Sequence, residues 1–308
     1  MFDVISIGAA TIDIFIKSKQ FIVDKNLLSL EYSSKNEINQ SLICSGGGAT
    51  NSSVSFSRLG LKSACLSLIG DDHLSNYIID DLKKESVSTN LLIKNKNDII
   101  DFSVILVASK GGRSILTNRG STRLEEKYLN WNKIPKTKWF YISSLEGNLD
   151  LLEKIIGFAK ENNIKIALNP GNRELFQRKK LLPLLKLVDF LLLNKTESEN
   201  LVDLDVDNKN FWNKLVSLSS PIVSVTNGQD GAFVFADGKH YFSPIVNIKS
   251  IDETGAGDSF GSTFISALIY GHTPQEALFW AIKNSASVVS ALGAKTALLT
   301  LKQLEIRH

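Results

Sequence analysis

The chain has 308 residues, of which 43% are hydrophobic and 22% are charged, and this balance is typical of a globular protein. Its length allows one large α/β domain with a small accessory part. The formal net charge of +3 is too small to indicate a nucleic-acid or membrane surface, so we expect neither as a partner.

Two cysteines, Cys44 and Cys65, are too few for a disulfide framework or a zinc site. We interpret them as buried free thiols in a reducing compartment. The N-terminus resembles a strand rather than a targeting leader, and the densest apolar run, 181–193, is interrupted by a proline and charged residues. These features together predict a cytoplasmic protein.

Short apolar runs alternate with amphipathic segments along most of the chain. The predicted strands are 4–9, 64–69, 139–143, 164–168, 188–193 and 222–226, and 241–251 is predicted to be extended. The predicted helices are 51–59, 74–85 and 149–161, with further helical segments between the later strands. This alternation predicts an α/β fold with a mostly parallel sheet covered by helices on both faces.

Two segments interrupt the alternation. Residues 15–39 are polar and weakly periodic, and residues 99–117 suggest a hairpin with strands 102–108 and 114–117 and a turn at Lys110-Gly111-Gly112. One interpretation is that the two segments pair into a small flap over the carboxyl ends of the parallel strands, where ligands bind in open α/β folds. The alternative is two long surface loops.

A glycine turn followed by an acid marks the C-terminal third of the chain. Gly255-Ala256-Gly257 precedes Asp258 and an apolar run at helical spacing, which predicts a turn at a helix N-terminus. Free backbone N–H groups and the helix dipole favour an anion such as phosphate there. Asp258 either deprotonates a hydroxyl or caps the helix, and this stretch by itself fits an ordinary capped loop better. Its spacing matches neither the dinucleotide fingerprint nor a Walker A loop.

A second glycine turn, Gly46-Gly47-Gly48, precedes the predicted helix that begins at Asn51. Consecutive glycines let the backbone approach a ligand closely, and the Asn51 amide offers a donor and an acceptor, which suits a polyol. Asp13, after the first strand, would accept hydrogen bonds from a pair of hydroxyls. The simpler alternatives are a flexible loop for the glycines and a turn residue or cap for Asp13.

The two motifs, Gly46-Gly47-Gly48-Ala49-Thr50-Asn51 and Asp252-Glu253-Thr254-Gly255-Ala256-Gly257-Asp258, resemble the signatures of the ribokinase-like sugar kinases of the phosphofructokinase-B (PfkB) type. Further landmarks follow in the family's order: Leu145-Glu146, Asn169-Pro170, Asn194-Lys195-Thr196-Glu197 and Thr226-Asn227-Gly228-Gln229-Asp230-Gly231. The resemblance extends over essentially the whole chain. It implies a ribokinase-like three-layer α/β/α fold in a single domain, 1–308, with a β-sheet lid formed by about residues 13–42 and 97–119.

The resemblance implies transfer of the γ-phosphate of ATP to a hydroxymethyl group of a sugar. Asp258 would be the catalytic base, and the N–H groups of Gly255, Ala256 and Gly257 would form the anion hole. The residues that the resemblance implies for acceptor binding are Asp13, Gly46, Gly47, Asn51 and Glu146. For Glu146, a plain surface-loop acid is the alternative.

The resemblance also implies a nucleotide site. Asn194 and Glu197 match a motif that organises Mg²⁺ through its waters, although by themselves they predict a helix N-cap with a capping box. The remaining residues implied for ATP binding are Thr226, Gly228, Gly231 and Asn284. A hairpin turn at 226–231 and a solvated helix position at 284 are the alternatives.

Two further properties occur in some members of this family. One is a monovalent cation such as K⁺ beside the anion-hole loop, in which Asp252 would take part. The other is a homodimer through the lid. Glu253 departs from the family pattern, which usually has a small residue there, and we expect its carboxylate to point away from the phosphate. We expect Arg119 to be a solvated lid charge.

A free sugar of the ribose or fructose type is the leading acceptor, because Glu146 suits a small closed pocket. A nucleoside is the alternative, for which Phe15 and Phe21 would provide a wall against the base. A sugar phosphate would require the cations near the lid, namely Lys110, Arg113, Arg119 and Arg123. A non-catalytic sensor fits less well because the base and the glycines of the anion hole are intact. A dinucleotide-dependent oxidoreductase also fits less well, because the glycine fingerprint is missing after the first strand.

Overall fold

A computed structural model describes residues 1–25, 27–96, 98–108, 112–120 and 122–306. The strands are β1 Phe2–Ile7, β2 Thr11–Ser18, β3 Ile22–Asp24, β4 Leu27–Ser29, β5 Gln40–Gly46, β6 Ser63–Ile69, β7 Leu92–Lys94, β8 Phe102–Ala108, β9 Arg113–Asn118, β10 Thr137–Ile142, β11 Lys165–Leu168, β12 Phe190–Asn194, β13 Ile222–Thr226, β14 Ala232–Ala236 and β15 Lys239–Ser243. The α-helices are α1 Gly48–Arg58, α2 His73–Lys84, α3 Leu149–Glu161, α4 Asn172–Leu175, α5 Arg178–Leu185, α6 Lys195–Val202, α7 Phe211–Leu218, α8 Ala256–Ile269, α9 Pro274–Val289 and α10 Leu301–Glu305. Short 3-10 turns lie at Glu126–Tyr128, Trp131–Lys133 and Gly228–Asp230.

A central sheet in the order β15-β14-β13-β12-β11-β10-β1-β6-β7 organises the fold. The strands from β7 to β13 run parallel, and β14 and β15 join one edge as an antiparallel hairpin. The predicted mostly parallel sheet is therefore confirmed.

Alternating side chains of the central strands face two layers of helices. On β10, Phe140 and Ile142 pack in one core cluster with α3, α5, α6 and α7. Trp139 and Tyr141 point the other way and pack in a second cluster with α1, α8, α9 and α10. The result is the three-layer α/β/α arrangement, with both sheet faces buried.

A separate four-stranded sheet, β5-β2-β8-β9, forms a lid. β2 pairs antiparallel with β5 and parallel with β8, and β8 and β9 form the predicted hairpin. Its turn residues Lys110 and Gly111 lie outside the described residues. The lid strands come from 11–46 and 102–118, so the two segments that interrupt the alternation pair with each other and are not independent surface loops.

Three local expectations differ from the structure. Only Lys239–Ser243 of the region around 241–251 forms a strand, and 244–251 has no regular secondary structure. Helix α1 begins at Gly48, before the expected start, because Gly47 at φ 88° already ends the preceding strand. Cys44 is only partly buried while Cys65 is fully buried, and both are free thiols whose pKa burial raises to about 12.

Candidate active site

Asp258 and Asn51 come from different helices and meet directly. Asp258 lies in the first turn of α8, and Asn51 lies in the first turn of α1. The Asn51 Nδ2 atom donates to Asp258 Oδ2 at 2.8 Å. Gly255 is the N-cap of α8 and no side chain caps this helix, so the interpretation of Asp258 as a cap is wrong.

The other end of the Asn51 amide is an unused acceptor. Asn51 Oδ1 is buried and has no hydrogen-bond partner among the described residues. A buried acceptor without a partner costs free energy, so a ligand donor at this position is favoured. Asn51 therefore holds Asp258 with one atom and leaves the other without a partner among the described residues.

Asp13 reaches the same place from the lid. It lies on β2, and its side chain passes so close to Gly46 that a Cβ at Gly46 would lie 2.1 Å from Asp13 Oδ2. A Cβ on Gly48 would lie 3.2 Å from Asp258 Oδ1. The second glycine turn thus runs between the two carboxylates. Glycine at positions 46 and 48 leaves space for them, because any side chain there would collide with neighbouring atoms.

The carboxyl group of Asp13 is in an unfavourable place for a charge. Burial, opposed by the charge of Lys295 and aided by the nearby carboxylates of Asp252 and Asp258, raises its pKa to about 6. Burial also raises the pKa of Asp258, against the hydrogen bond from Asn51 and the charge of Lys295. A raised pKa makes Asp258 a stronger base for a hydroxyl proton.

Lys295 is a buried cation that the sequence analysis missed. Its Nζ donates to the Ser45 hydroxyl and lies 3.0 Å from Asp81 Oδ2, and the residue is only 7% exposed. Its charge acts on both Asp13 and Asp258. The sequence signal that could have revealed a buried cation is a single lysine within the mostly apolar stretch 291–299.

The anion-hole turn has two free amides rather than three. Gly255 adopts φ 79°, where a Cβ would lie 2.3 Å from Ala294 Cβ, so glycine is required. The Ala256 N–H donates to the Glu253 carbonyl at 3.2 Å, which removes it from the expected donor set. No acceptor for the Gly255 and Gly257 amides is found in the described part of the chain, which leaves these two for an anion. The Glu253 residue is exposed.

Glu146, expected at the acceptor hydroxyls, is engaged by the lid. The Arg119 Nη1 atom lies 2.6 Å from Glu146 Oε1, and Arg173 Nη1 lies 3.9 Å from Oε2. The Arg119 side chain is 52% exposed, so it is a solvated lid charge as expected, and its ion pair with Glu146 also connects the lid to the core. Glu146 lines a small pocket with Ala9 and Ala10, next to the glycine turn.

A second, more open site lies at the carboxyl ends of β12 and β13. A groove of about 390 Å³ is lined by Asn172, Asn194, Lys195, Thr196, Glu197, Thr226, Asn227 and Gly228. Asn194 is the N-cap of α6, with Glu197 completing a capping box. The capping alternative is thus confirmed, and the same two side chains face the groove. Burial raises the pKa of Glu197 despite its hydrogen bonds with Asn194.

Two residues expected at the nucleotide, Gly231 and Asn284, have contacts that stabilise the fold. Gly231, at φ 95°, ends the turn between β13 and β14, where a Cβ would lie 2.3 Å from the Ser243 carbonyl oxygen. Asn284 is fully buried; it donates to Thr263 and accepts from the Leu299 N–H. The alternative of a solvated helix position is wrong for Asn284, and its engaged amide joins α8, α9 and the C-terminal segment.

Asp252, expected to help bind a monovalent cation, already has protein partners. Its Oδ1 atom accepts from Thr254 and from Arg113, and Oδ2 accepts from the Gly293 N–H. The described residues contain no group of three or more His, Cys, Asp or Glu side chains arranged to hold a metal ion. None of the described helices has the length and apolar character needed to cross a membrane.

Comparison with known proteins agrees with this geometry. The model of the pfkB family carbohydrate kinases matches residues 1–301. The chain belongs to the pfkB family. A ribokinase from Haemophilus influenzae is 27% identical over 267 residues, which are 85% of this chain and 86% of that protein. A nucleoside kinase from Methanocaldococcus jannaschii is 25% identical over 260 residues, covering 83% of this chain and 82% of that protein.

A solved structure shares the fold of this pfkB-family chain. It is an E. coli protein described as a ribokinase II, in complex with ATP and Mg²⁺, with a TM-score of 0.83 at 19% identity over 99% of this chain and 98% of that chain. The ribokinase-like fold is thereby confirmed. As a pfkB-family carbohydrate kinase, the protein is a phosphotransferase with an alcohol group as acceptor.

Proposed function

We propose that this protein transfers the γ-phosphate of ATP to a hydroxymethyl group of a free sugar of the ribose or fructose type. The observation that carries the proposal is the meeting of Asp13, Asn51 and Asp258 beside the glycine turn of α8. Two carboxylates and one unused amide oxygen offer acceptors for several hydroxyl groups at once. The free amides of the turn provide the neighbouring place for a phosphoryl group.

Asp258 acts as the base in this scheme. Asp13 and Asn51 orient the acceptor, and the Asp258 carboxylate takes the proton of the hydroxyl group. The hydroxyl oxygen bonds to the γ-phosphorus, the bond from that phosphorus to the β–γ bridging oxygen breaks, and ADP leaves. The N–H groups of Gly255 and Gly257 stabilise the charge on the transferring group.

We place the nucleotide in the groove at the ends of β12 and β13. Thr226 and Gly228 line it, and its floor is the N-terminus of α6. One oxygen of Glu197 accepts from the Asn194 N–H, which leaves the other for a metal-bound water. A single carboxylate of this kind fits Mg²⁺, which keeps several waters and binds mainly through phosphates. When bound, Mg²⁺ neutralises phosphate charge. The similar E. coli protein in complex with ATP and Mg²⁺ supports these two as the ligands of the site.

The occupied lid arginines favour an uncharged acceptor. Arg113 is paired with Asp252 and Arg119 with Glu146, so neither is free to bind a phosphate of the acceptor. Lys110 lies outside the described residues. A sugar phosphate therefore lacks two of its expected partners.

A nucleoside is the second candidate acceptor, supported by the M. jannaschii nucleoside kinase among the relatives. The proposed aromatic wall does not favour it. Phe15 is fully buried against Ile105, Val107 and Leu292, and Phe21 is 7% exposed. Both rings are buried, so a free sugar fits better than a base.

The decisive experiment measures ADP release from Mg-ATP with a panel of sugars, sugar phosphates and nucleosides. We expect turnover with a free sugar, and a roughly 10²–10⁴-fold lower kcat for Asp258→Asn. Asp3→Asn, a matched change at an ion pair with Lys138 that takes no part in the proposed site, should leave kcat unchanged. Turnover with a nucleoside alone would favour the second candidate. No turnover with any acceptor, while ATP still binds, would favour a sensor.

We also propose that the chain acts as a single unit, 1–308, that dimerises through the outer face of the lid. The strand register places Ile16, Ile43, Val104, Leu106 and Leu116 on the face opposite to Asp13. Leu116 is 60% exposed and Ile43 48% exposed. Native mass measurement should show a dimer that Leu116→Lys converts to a monomer, whereas Phe176→Lys, at an exposed phenylalanine outside the lid, should not. A wild-type monomer contradicts this proposal.

A further inference from the structure

Asp252 joins two loops immediately before the anion hole. Its Oδ1 atom accepts from the Thr254 N–H at 3.1 Å and the Thr254 hydroxyl at 2.7 Å, and its Oδ2 accepts from the Gly293 N–H at 2.9 Å. Its backbone N–H donates to the Val289 carbonyl. The carboxylate thus holds the start of the anion-hole turn against the loop that follows α9.

The fourth donor on this carboxylate is a permanent positive charge from the lid. Arg113 Nη1 lies 2.9 Å from Asp252 Oδ1. The side chain of Arg113 is 29% exposed and that of Asp252 is 2% exposed. Because Arg113 pairs with Val107 and Val107 pairs with Lys17, Arg113 lies on the same lid face as Asp13 and points toward the active site.

A monovalent cation does not fit beside Asp252 while Arg113 is in this position. Three donors, two from Thr254 and one from Arg113, converge on Asp252 Oδ1, and the Gly293 N–H takes one of the two lone-pair positions of Oδ2, so at most one position on the carboxylate is left. A second cation there would also face the guanidinium at close range, where like charges repel. The hydrogen-bond donors around Asp252 are those of a carboxylate already paired with an arginine.

We infer that Arg113 is a tethered cation that replaces a monovalent ion at Asp252. It neutralises a buried carboxylate that would otherwise be unpaired and so fixes the loop that carries Gly255 and Gly257. Because Arg113 belongs to β9, the same contact ties the tip of the lid to the anion hole. Arg113 is a positioning residue, and the enzyme requires no monovalent cation. The kinetic part of this inference rests on the proposed kinase function.

The first test is independent of that function. Thermal unfolding of wild type and Arg113→Ala is measured in KCl and in choline chloride at equal ionic strength. We expect the wild-type Tm to differ by less than about 1 °C between the salts, and the variant's Tm to rise in KCl by several times that, because the ion then binds only the folded state. Crystals soaked in RbCl should show anomalous density at Asp252 in the variant alone.

The second test uses turnover on the acceptor identified above. We expect wild-type kcat to agree within about twofold between KCl and choline chloride, and Arg113→Ala to fall about tenfold or more in choline chloride and recover partly in KCl. Arg113→Lys keeps a charge and should remain independent of K⁺. Lys138→Ala, which removes an exposed cation far from the site, should match wild type in both salts.

Two results overturn the inference. One is a wild-type enzyme whose Tm or kcat depends on K⁺. The other is an Arg113→Ala variant that equals wild type in choline chloride. If Arg113→Ala does not fold, Arg113→Gln replaces it, because the amide keeps a donor for Asp252 but removes the charge. If the kinase proposal fails, the thermal and RbCl results still decide whether Arg113 occupies the cation position.

Discussion

The proposed acceptor end and the proposed nucleotide end of this site are built in different ways. The acceptor end brings Asp13, Asn51, Asp258 and Lys295 together from the lid, two helices and the C-terminal loop, and most of these side chains are buried. The nucleotide end is an open groove formed by a helix cap and a hairpin turn, each local in sequence.

Because of this difference, the unfavourable burial of charged groups is concentrated at the acceptor end. The carboxylates of Asp252 and Asp258 lie close enough to Asp13 to raise its pKa, and two cations, Lys295 and Arg113, offset this negative charge. The groove has one carboxylate, Glu197, whose hydrogen bonds come from its own helix turn. Changes at the acceptor end should therefore alter rates and pH dependence, and changes in the groove should mainly alter nucleotide affinity.

The largest expected effect among these tests is at Asp13. Asp13→Asn removes a charged acceptor for two hydroxyl groups, each worth about 1.5–3 kcal/mol, so kcat/KM for the sugar should fall roughly 10²–10⁴-fold while the KM for ATP stays the same. Initial rates at varied sugar concentration measure this. Asp24→Asn, on the exposed strand β3, is the control. An unchanged KM and kcat for the sugar would place the acceptor elsewhere.

The same variant should be more stable than wild type at high pH. The pKa of Asp13 is about 6 in the folded protein against 3.8 unfolded, so the folded state holds more protons between these values. Wild-type stability from this group is therefore lost as the pH rises through 6, on the order of 3 kcal/mol. The Tm gain of Asp13→Asn should be fully present at pH 8 and disappear below pH 4. A gain that grows on acidification contradicts the assignment.

A smaller effect is expected at Lys295. Lys295→Met removes a charge that lowers the pKa of both Asp13 and Asp258. Both carboxyl groups should then hold protons at higher pH, so the acid limb of the kcat/KM profile should move up by about one pH unit. Lys283→Met is the matched control, because Lys283 caps carbonyl groups of the C-terminal segment away from the site. An unmoved acid limb means that Lys295 only stabilises the fold.

The sequence predicted what depends on local pattern. Strand–helix alternation predicted the parallel sheet, and the two glycine turns predicted the residues around Asp258. Both signals depend only on hydrophobic periodicity and turn residues within a few neighbouring positions. The pairings of Arg113 with Asp252 and of Arg119 with Glu146 span 139 and 27 residues, and lid charges have no period that reveals a partner. Asn284 shows the reverse case, since a polar residue on a helix carries no sign that its amide is buried and engaged.

The smallest expected effect is in the groove, and it separates two roles of Glu197. Glutamine also completes a capping box, so Glu197→Gln keeps the contacts with Asn194 and should change the Tm little. It removes the charge, so the KM for Mg-ATP should rise by about tenfold or less, with the KM for the sugar unchanged. Glu197→Ala removes both the charge and the capping contacts. It should therefore also lower the free energy of unfolding, by roughly 1 kcal/mol, and with it the Tm. If Glu197→Gln leaves the KM for Mg-ATP unchanged and only the alanine variant raises it, Glu197 acts on the nucleotide solely by holding the helix end.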